Sequence, residues 1–337
     1  MHALIFSICF ASVNALSEYE VTDRFNESKM ALLARYTHGM QSTPAYLDAL
    51  HQPCLGILQA LVLHTLCLHR HDNTDQEVFS KSFILALQVA RLMGLDEDDS
   101  TGRSPLETEI RRRCWWTLYW MRRHCAQEHG SIVDEAEFAA VVSLPLNIND
   151  IDLGPMADDT PTARTGITDM SFFLFTVELI KLHAKAQNLV STSASWSVNQ
   201  SEREGVQECV KRLESNFLRH CDASRPFDWF LLLTGKAMLT PIEIILLENL
   251  EATRHMVEAT DDHLHESKRD AKFSLRLDIV ECWHMLKTNE KLKTWTWFSW
   301  TFQPAVTIGD ICTELARYPL SAHSKRAHAL IELISLG

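Results

Sequence analysis

The chain has 337 residues, 46% of them hydrophobic and 23% charged, which is ordinary globular usage and excludes a low-complexity polymer or a mostly apolar membrane protein. Its 44 acidic and 32 basic side chains leave a net charge of -12, so the surface as a whole repels a phosphate backbone unless positive charge is gathered in one place. The nine cysteines lie far apart with no C-x2-C pair, which excludes a cysteine-rich zinc module and reads as small buried hydrophobes in a reducing compartment.

The first element, ALIFSICFASVNAL at residues 3–16, has two readings. One is the apolar core of a secretory leader, with Val13-Asn14-Ala15 as a small-residue cleavage site and sequons at Asn26 and Asn199. The other is a buried first helix that opens without a Ser, Thr, Asp or Asn cap, as if something preceded it; no Lys or Arg stands before it, and it is too short to span a bilayer.

From there the helical period dominates, strand alternation is scarce, and few glycines and prolines punctuate the chain, so the fold class is an all-α array of about ten or more helices. The periodicity predicts helices over 18–40, 54–70, 75–94, 105–129, 168–190, 201–221, 236–258, 268–292 and 307–317, with another near the end. FILALQVARLMGL, 83–95, is apolar nearly all round and is predicted in the middle of the array. Polar linkers fall at 144–168 and 191–204, and no solenoid repeat appears.

The helix beginning at SPLETEIRRRCWW, residues 104–116, is the best specified. Ser104, Pro105 and Glu107 have the positions of an N-cap, a first-turn proline and the acid of a capping box. Glu107 precedes Arg111 by four residues and Glu109 precedes Arg113 by four, the orientation that favours ion pairs along a helix. An apolar stripe runs through Leu106, Ile110, Cys114, Leu118, Met121 and Cys125, with Trp115 and Trp116 flanking it, and Gly130 supplies a stop. These features describe a structural core helix; phosphate or partner binding by its arginines is the competing reading.

Other constellations carry weaker signals. His64, Cys67 and His71 share one helix face, as do His124, Cys125 and His129, but zinc usually needs a second contributing element, so satisfied helix-surface histidines are preferred and no metal ligands are assigned. NINDIDL, 147–153, faintly follows a calcium loop, yet Ile151 occupies a ligand position and the turn glycine is missing. Asp261-Asp262-His263-Leu264-His265-Glu266 is similar to the acidic clusters of prenyl-diphosphate enzymes, which hold magnesium and a diphosphate. Here His265 stands in for the usual third acid, no matching cluster appears on another helix, and Arg317-Tyr318 adds little. No nucleophile elbow, HExxH, phosphate loop or GxGxxG is present, so no catalytic or cofactor-binding residues are assigned.

ARLMGLDEDDSTGRSPLETEIRRRCWW, followed by AQEHGS and LPLNINDIDL, resembles the fungal-specific transcription factor domain, the middle homology region of binuclear zinc cluster regulators. LLARY at 32–36 and QALVL at 59–63 fit the same pattern, so the clear likeness covers 3–153, the core of the regulatory domain. Residues 154–337 read as its C-terminal continuation, resting on WTWFSW at 295–300 and a late helix around Cys312. The resemblance marks Ser104, Pro105, Glu107, Glu109, Arg111, Arg112, Arg113, Trp115 and Trp116 as the family helix, and Leu144, Pro145, Asn147, Asp150 and Asp152 as its loop. It implies a nuclear, non-enzymatic regulator of RNA polymerase II transcription, often of metabolic or secondary-metabolite genes. It also implies contacts to transcription machinery or a DNA-binding partner, with a small effector as a further ligand and DNA reached only indirectly.

Two departures stand out. Arg122 occupies the place where the family usually has an aspartate, and the family's N-terminal six-cysteine zinc cluster has no counterpart among these residues. No DNA-contacting residue is therefore carried over, and zinc enters only with a cluster that lies outside this sequence. A cytoplasmic location, a secreted helical protein and a prenyl-type enzyme remain the alternatives.

Overall fold

A computed structural model describes all residues except 69–75, 100, 129–141, 155–158, 192–195, 256–261, 297–304, 320 and 336–337. The described residues form α-helices, three 3-10 turns and no strand. The helices are α1 (His2–Ala15), α2 (Glu18–Phe25), α3 (Lys29–Gln41), α4 (Pro44–Leu47), α5 (Leu55–Leu68), α6 (Gln76–Leu92), α7 (Pro105–Glu128), α8 (Ser171–Ser191), α9 (Trp196–Asn216), α10 (Pro226–His255), α11 (Asp262–Thr288), α12 (Lys293–Thr296), α13 (Ala305–Arg317) and α14 (Ser324–Ser335). They divide into two compact units: Met1–Arg164 with Thr168–Met170, and Thr165–Ile167 with Ser171–Gly337.

In the first unit α5 is the central helix, packed by α1, α6 and α7, with α3 against α1. Ile57, Leu58, Ala60 and Leu61 of α5 are fully buried. The prediction that α6 would hold this place is corrected. Phe83, Ala86, Val89 and Ala90 face the core, but Ile84 and Leu92 are 53% and 58% exposed, so α6 is one-sided. Apolar letters on both faces did not mean burial on both faces, because the shorter α5 already filled the centre.

Residues 3–16 are placed as a buried first helix. Ala3, Phe10 and Val13 enter the core, and Phe10 and Val13 share one cluster with Val21, Leu32, Leu33, Cys67 and Leu68. The end of α1 is closed from outside: Lys29 Nζ donates to the carbonyls of Asn14 (2.9 Å) and Leu16 (2.6 Å), charge-assisted bonds at a helix C-terminus. The single helix predicted over 18–40 is two. Asn26 adopts the left-handed conformation (φ 53) that ends α2, and Ser28 accepts from Ala31 N to start α3.

In the second unit α8 packs against α9 and α10, and α10 against α11. The helix predicted to begin at 236 begins ten residues earlier, at Pro226. Gly235 stands just before the predicted start yet lies inside α10, as does Pro241, which the predicted helix already included. A Cβ on Gly235 would stand 2.7 Å from Leu218 and 3.2 Å from Phe175, so this glycine serves close packing and not a turn. By length and composition Pro226–Glu248 could cross a membrane, and half of the apolar window is buried inside the protein. A C-terminal hairpin of α13 and α14 covers Phe273, Leu277 and Val280 of α11 with Ile311, Leu315, Ala327 and Leu330.

Candidate functional site

The residues singled out on α7 and in the 144–152 loop come together in the first unit. Ser104 Oγ accepts from Glu107 N at 3.2 Å and Pro105 is the first helical residue, so the helix starts where its cap lies. The three arginines that follow have three separate partners.

Arg111 does not pair with Glu107 as the four-residue spacing predicts. The residue is buried, 7% exposed, and its guanidinium donates to the carbonyls of Met93 (2.6 Å) and Gly94 (3.1 Å) just past the end of α6. Carbonyls at a helix end lack intrahelical donors, and a cation there is favoured by charge as well as by hydrogen bonding. That non-local gain outweighs a surface pair worth only a few tenths of a kcal/mol, about 0.3 to 0.5. Glu107 instead lies 3.8 Å from Arg103.

Arg112 forms a two-pronged pair with Asp98, at 2.9 and 3.0 Å. Asp98 Oδ2 also accepts from Ser143 Oγ (2.5 Å) and Ser143 N (3.2 Å). Burial pushes the Asp98 carboxyl up, but these hydrogen bonds and the Arg112 charge outweigh it and hold the group below its usual range. Arg113 makes the predicted pair with Glu109 (3.1 Å) and extends to Asp150 (2.6 Å).

Glu109 is almost wholly buried, and both its carboxylate oxygens accept from Leu146 N at 3.2 Å. Trp116 Nε1 donates to Ser143 O at 2.9 Å. Neither tryptophan flanks a stripe: Trp115 and Trp116 are among the largest fully buried side chains, whereas Leu106 and Ile110 are only half-buried. From Cys114 to Met121 only Thr117 is not buried, so α7 is enclosed on nearly every side in this stretch.

The loop is held with equal care. Pro145 and Ile148 are buried and Leu144 is half-buried. Asn147 donates to Arg164 O (2.9 Å) and accepts from Thr168 Oγ1 (2.7 Å). Asn149 N donates to Asp152 Oδ2 (2.9 Å), Asp169 N donates to Asn149 Oδ1 (3.0 Å), and Asp150 N donates to Asp169 Oδ2 (3.0 Å). Asp152 also pairs with Arg164. The side chains that imitate a calcium loop are thus engaged in turns and caps.

The arrangement is a clasp: one helix ties the α6–α7 turn to the 143–152 loop, and that loop in turn holds Arg164, Thr168 and Asp169. Asp98 and Ser143 are central to it and were not singled out from the sequence. Asp98 is one acid in a run of four acidic residues, 96–99, and nothing local marks it as the partner of Arg112.

The remaining candidates do not assemble. His64 is buried, not on a helix surface; its Nε2 lies 3.1 Å from Thr37 Oγ1, its ring packs on Phe10, and burial pushes its pKa down to about 4. Cys67 is a core residue, and His71 lies outside the described residues. His129 and Asp261, with the side chains of His124, Cys125 and Asp262 through His265, also lie outside them. Glu266 is exposed, and the Tyr318 ring is covered by the Arg269 guanidinium at 3.8 Å. Among the described residues no group of three or more His, Cys, Asp or Glu is placed to hold a metal ion. An open depression of about 470 Å³ is lined by Leu50, Gln88, Arg91 and Leu92.

The sequence profile described as the fungal specific transcription factor domain matches residues 2–292, and the chain belongs to that family. It is similar to the aurofusarin cluster transcription factor of Gibberella zeae, 24% identical over 321 residues that make up 94% of this chain and 47% of that protein. It is likewise similar to the C6 finger domain transcription factor nscR of Arthroderma gypseum, 25% identical over 88% of this chain and 42% of the relative. With the C6 finger domain transcription factor hasF of Aspergillus fumigatus it shares 29% identity over 66% of this chain and 32% of that protein. The chain spans less than half the length of these relatives. No solved structure matches it.

Proposed function

We propose that this chain is the regulatory, non-DNA-contacting region of a zinc cluster transcription regulator, acting in the nucleus on genes of secondary metabolism. The carrying observation is the clasp on α7. Arg111, Arg112 and Arg113, the densest positive charge in the sequence, are engaged with backbone carbonyls and carboxylates of the same unit, on a chain whose net charge is -12. A phosphate backbone needs lysines and arginines turned outward. The naming of one relative after the aurofusarin cluster, and of others as C6 finger factors, supports the choice of gene class.

In this reading the helical units are a protein-contact and sensing module. A partner in the transcription machinery, a DNA-binding partner or a small effector shifts helix packing and so the access of a DNA-binding unit. The module has no turnover of its own and needs no cofactor.

Deleting the gene and sequencing the transcripts tests this. A co-regulated set of biosynthetic genes should rise or fall together, and the purified chain should leave labelled duplex DNA unshifted at physiological salt. An unchanged transcriptome, or magnesium-dependent consumption of an allylic diphosphate lost in Asp261→Asn, would overturn it.

A further inference from the structure

In four places the sequence sets a serine or threonine directly before a proline: Thr43-Pro44, Ser104-Pro105, Thr160-Pro161 and Thr240-Pro241. The fold puts three of these hydroxyls to structural use. Thr43 is buried, donates to Met40 O at 2.7 Å and accepts from Tyr46 N as the cap of α4. Ser104 caps α7, and Thr240 is 2% exposed inside α10, where it donates to Lys236 O at 2.7 Å. Thr160 differs: it is exposed, and residues 160–164 run without helix, turn or strand. The geometry points to Thr160 as a phosphorylation site, modified by a proline-directed Ser/Thr kinase with ATP as the donor.

The proline explains the pairing. Its ring fixes its own φ at about −65° and pushes the residue before it out of the helical region, so Thr160 is biased toward extended backbone. An extended segment is what lies along a cleft that reads a peptide, and a proline suits a cleft that asks for no N–H at that position. Thr162 and Ala163, which follow, are small and exposed. The other three pairs reach such a cleft only if a helix or its cap first opens. In the reaction Thr160 Oγ1 gives its proton to the base of the kinase and attacks Pγ of ATP. The new O–P bond forms as the bond from Pγ to the β,γ-bridging oxygen breaks, and ADP leaves with that electron pair.

The phosphate adds about −1.5 to −2 charges to an exposed stretch. Asp159, next to it, is exposed and repels it, whereas Arg164, four residues on, is 52% exposed and attracts it. Arg164 otherwise pairs with Asp152, the last acid of the loop. An ion pair with so much of its arginine in water is weak, and a dianion with three acceptor oxygens displaces the carboxylate. Asp152 also accepts from Asn149 N, and that bond loses the charge that steadies it. The main chain of Arg164 stays tied to Asn147, donating to its carbonyl at 2.8 Å and accepting from its side chain at 2.9 Å, so one tie of the clasp slackens while the segment remains attached. This inference does not rest on the transcriptional reading.

Two preparations test it. The folded full chain is incubated with magnesium-ATP and a purified mitogen-activated kinase beside a proteolytic digest of the same chain, and the chain is also recovered from expressing cells treated with a phosphatase inhibitor. Mass spectrometry of peptides should find phosphate at Thr160 in the folded chain and in the chain from cells, with the other three pairs modified only in the digest. Thr160→Ala should lose it with an unchanged melting curve, and Thr160→Ser should keep it. Phosphate at Ser104 in place of Thr160, or a bare Thr160 in the chain from cells, overturns the proposal. Hydrogen exchange over 147–153 then reads the part of Arg164. It should quicken about fivefold on phosphorylation, the loss of one exposed pair, and Arg164→Gln should reproduce that without phosphate. Unchanged exchange overturns the exchange of partners at Arg164.

Discussion

Two regions of the molecule solve the same problem, tying helices together with arginine, in different currencies. Around α7 the arginines and acids reach the main chain: Arg111 the carbonyls at 93 and 94, Glu109 the amide of Leu146, and Asp98 the amide of Ser143. On α11 the ties run between side chains. Arg326 of α14 grips Glu281 (2.7 and 2.6 Å) and Asp278 (2.5 Å), Arg276 faces Asp310 at 3.4 Å, and Arg269 faces Glu314 at 3.3 Å. Main-chain contacts fix where a loop lies whatever its side chains are, so the donor or acceptor must sit at one position. Side-chain pairs can be exchanged or reversed without moving the backbone.

The comparison can be broken most severely at the aromatic centre of the clasp. Trp116→Ala should cost about 4 kcal/mol, by lost burial and by stranding Ser143 O. Denaturant melts would show the lowered midpoint, and hydrogen exchange should place the loss in the first unit. Acid probes the same unit differently. Because the folded pKa of His64, about 4, lies below the ordinary 6.5, its contribution is whole above pH 6.5 and erodes as pH falls toward 4, by up to about 3 kcal/mol. A melting series in Thr37 and His64 variants should lose that slope in His64→Leu and keep it in Thr37→Val.

Smaller effects sharpen the contrast between the two kinds of tie. Arg112→Ala leaves a largely buried Asp98 and should cost about 2 kcal/mol, changing little between low and high salt. Arg326→Ala removes a pair about one third exposed on each side and should cost about 1 kcal/mol, most of it gone in 1 M salt. Equal salt dependence in the two variants would erase the distinction.

How much could be read beforehand follows distance along the chain. The all-helical class and the start of α7 were legible because a Ser-Pro-x-Glu cap and the helical period are local signals. The pair of Arg113 with Glu109 was legible for the same reason. The true partner of Arg111 lies eighteen residues upstream, and a spacing rule cannot weigh a helix end it does not see. The central place of α5 was missed because α6 carries as many apolar letters, and only packing tells which helix is surrounded. The first ten residues of α10 were missed because Gly235, at the edge of the predicted helix, looks like a break, although it is there to let Leu218 and Phe175 approach.

The bond from Arg111 to the carbonyls past α6 has a consequence for the order of events during synthesis. The last turn of α6 is closed locally, Met93 N, Gly94 N and Leu95 N donating to the carbonyls of Val89, Arg91 and Ala90, whereas the carbonyls of Met93 and Gly94 receive their donor from a side chain made eighteen residues after the first of them. Until that side chain has cleared the ribosome those two carbonyls are left to water. On a growing chain the turn that follows α6 is therefore fixed only together with α7, and a pause in translation between them prolongs the time that Leu95 and the buried face of α6 spend uncovered.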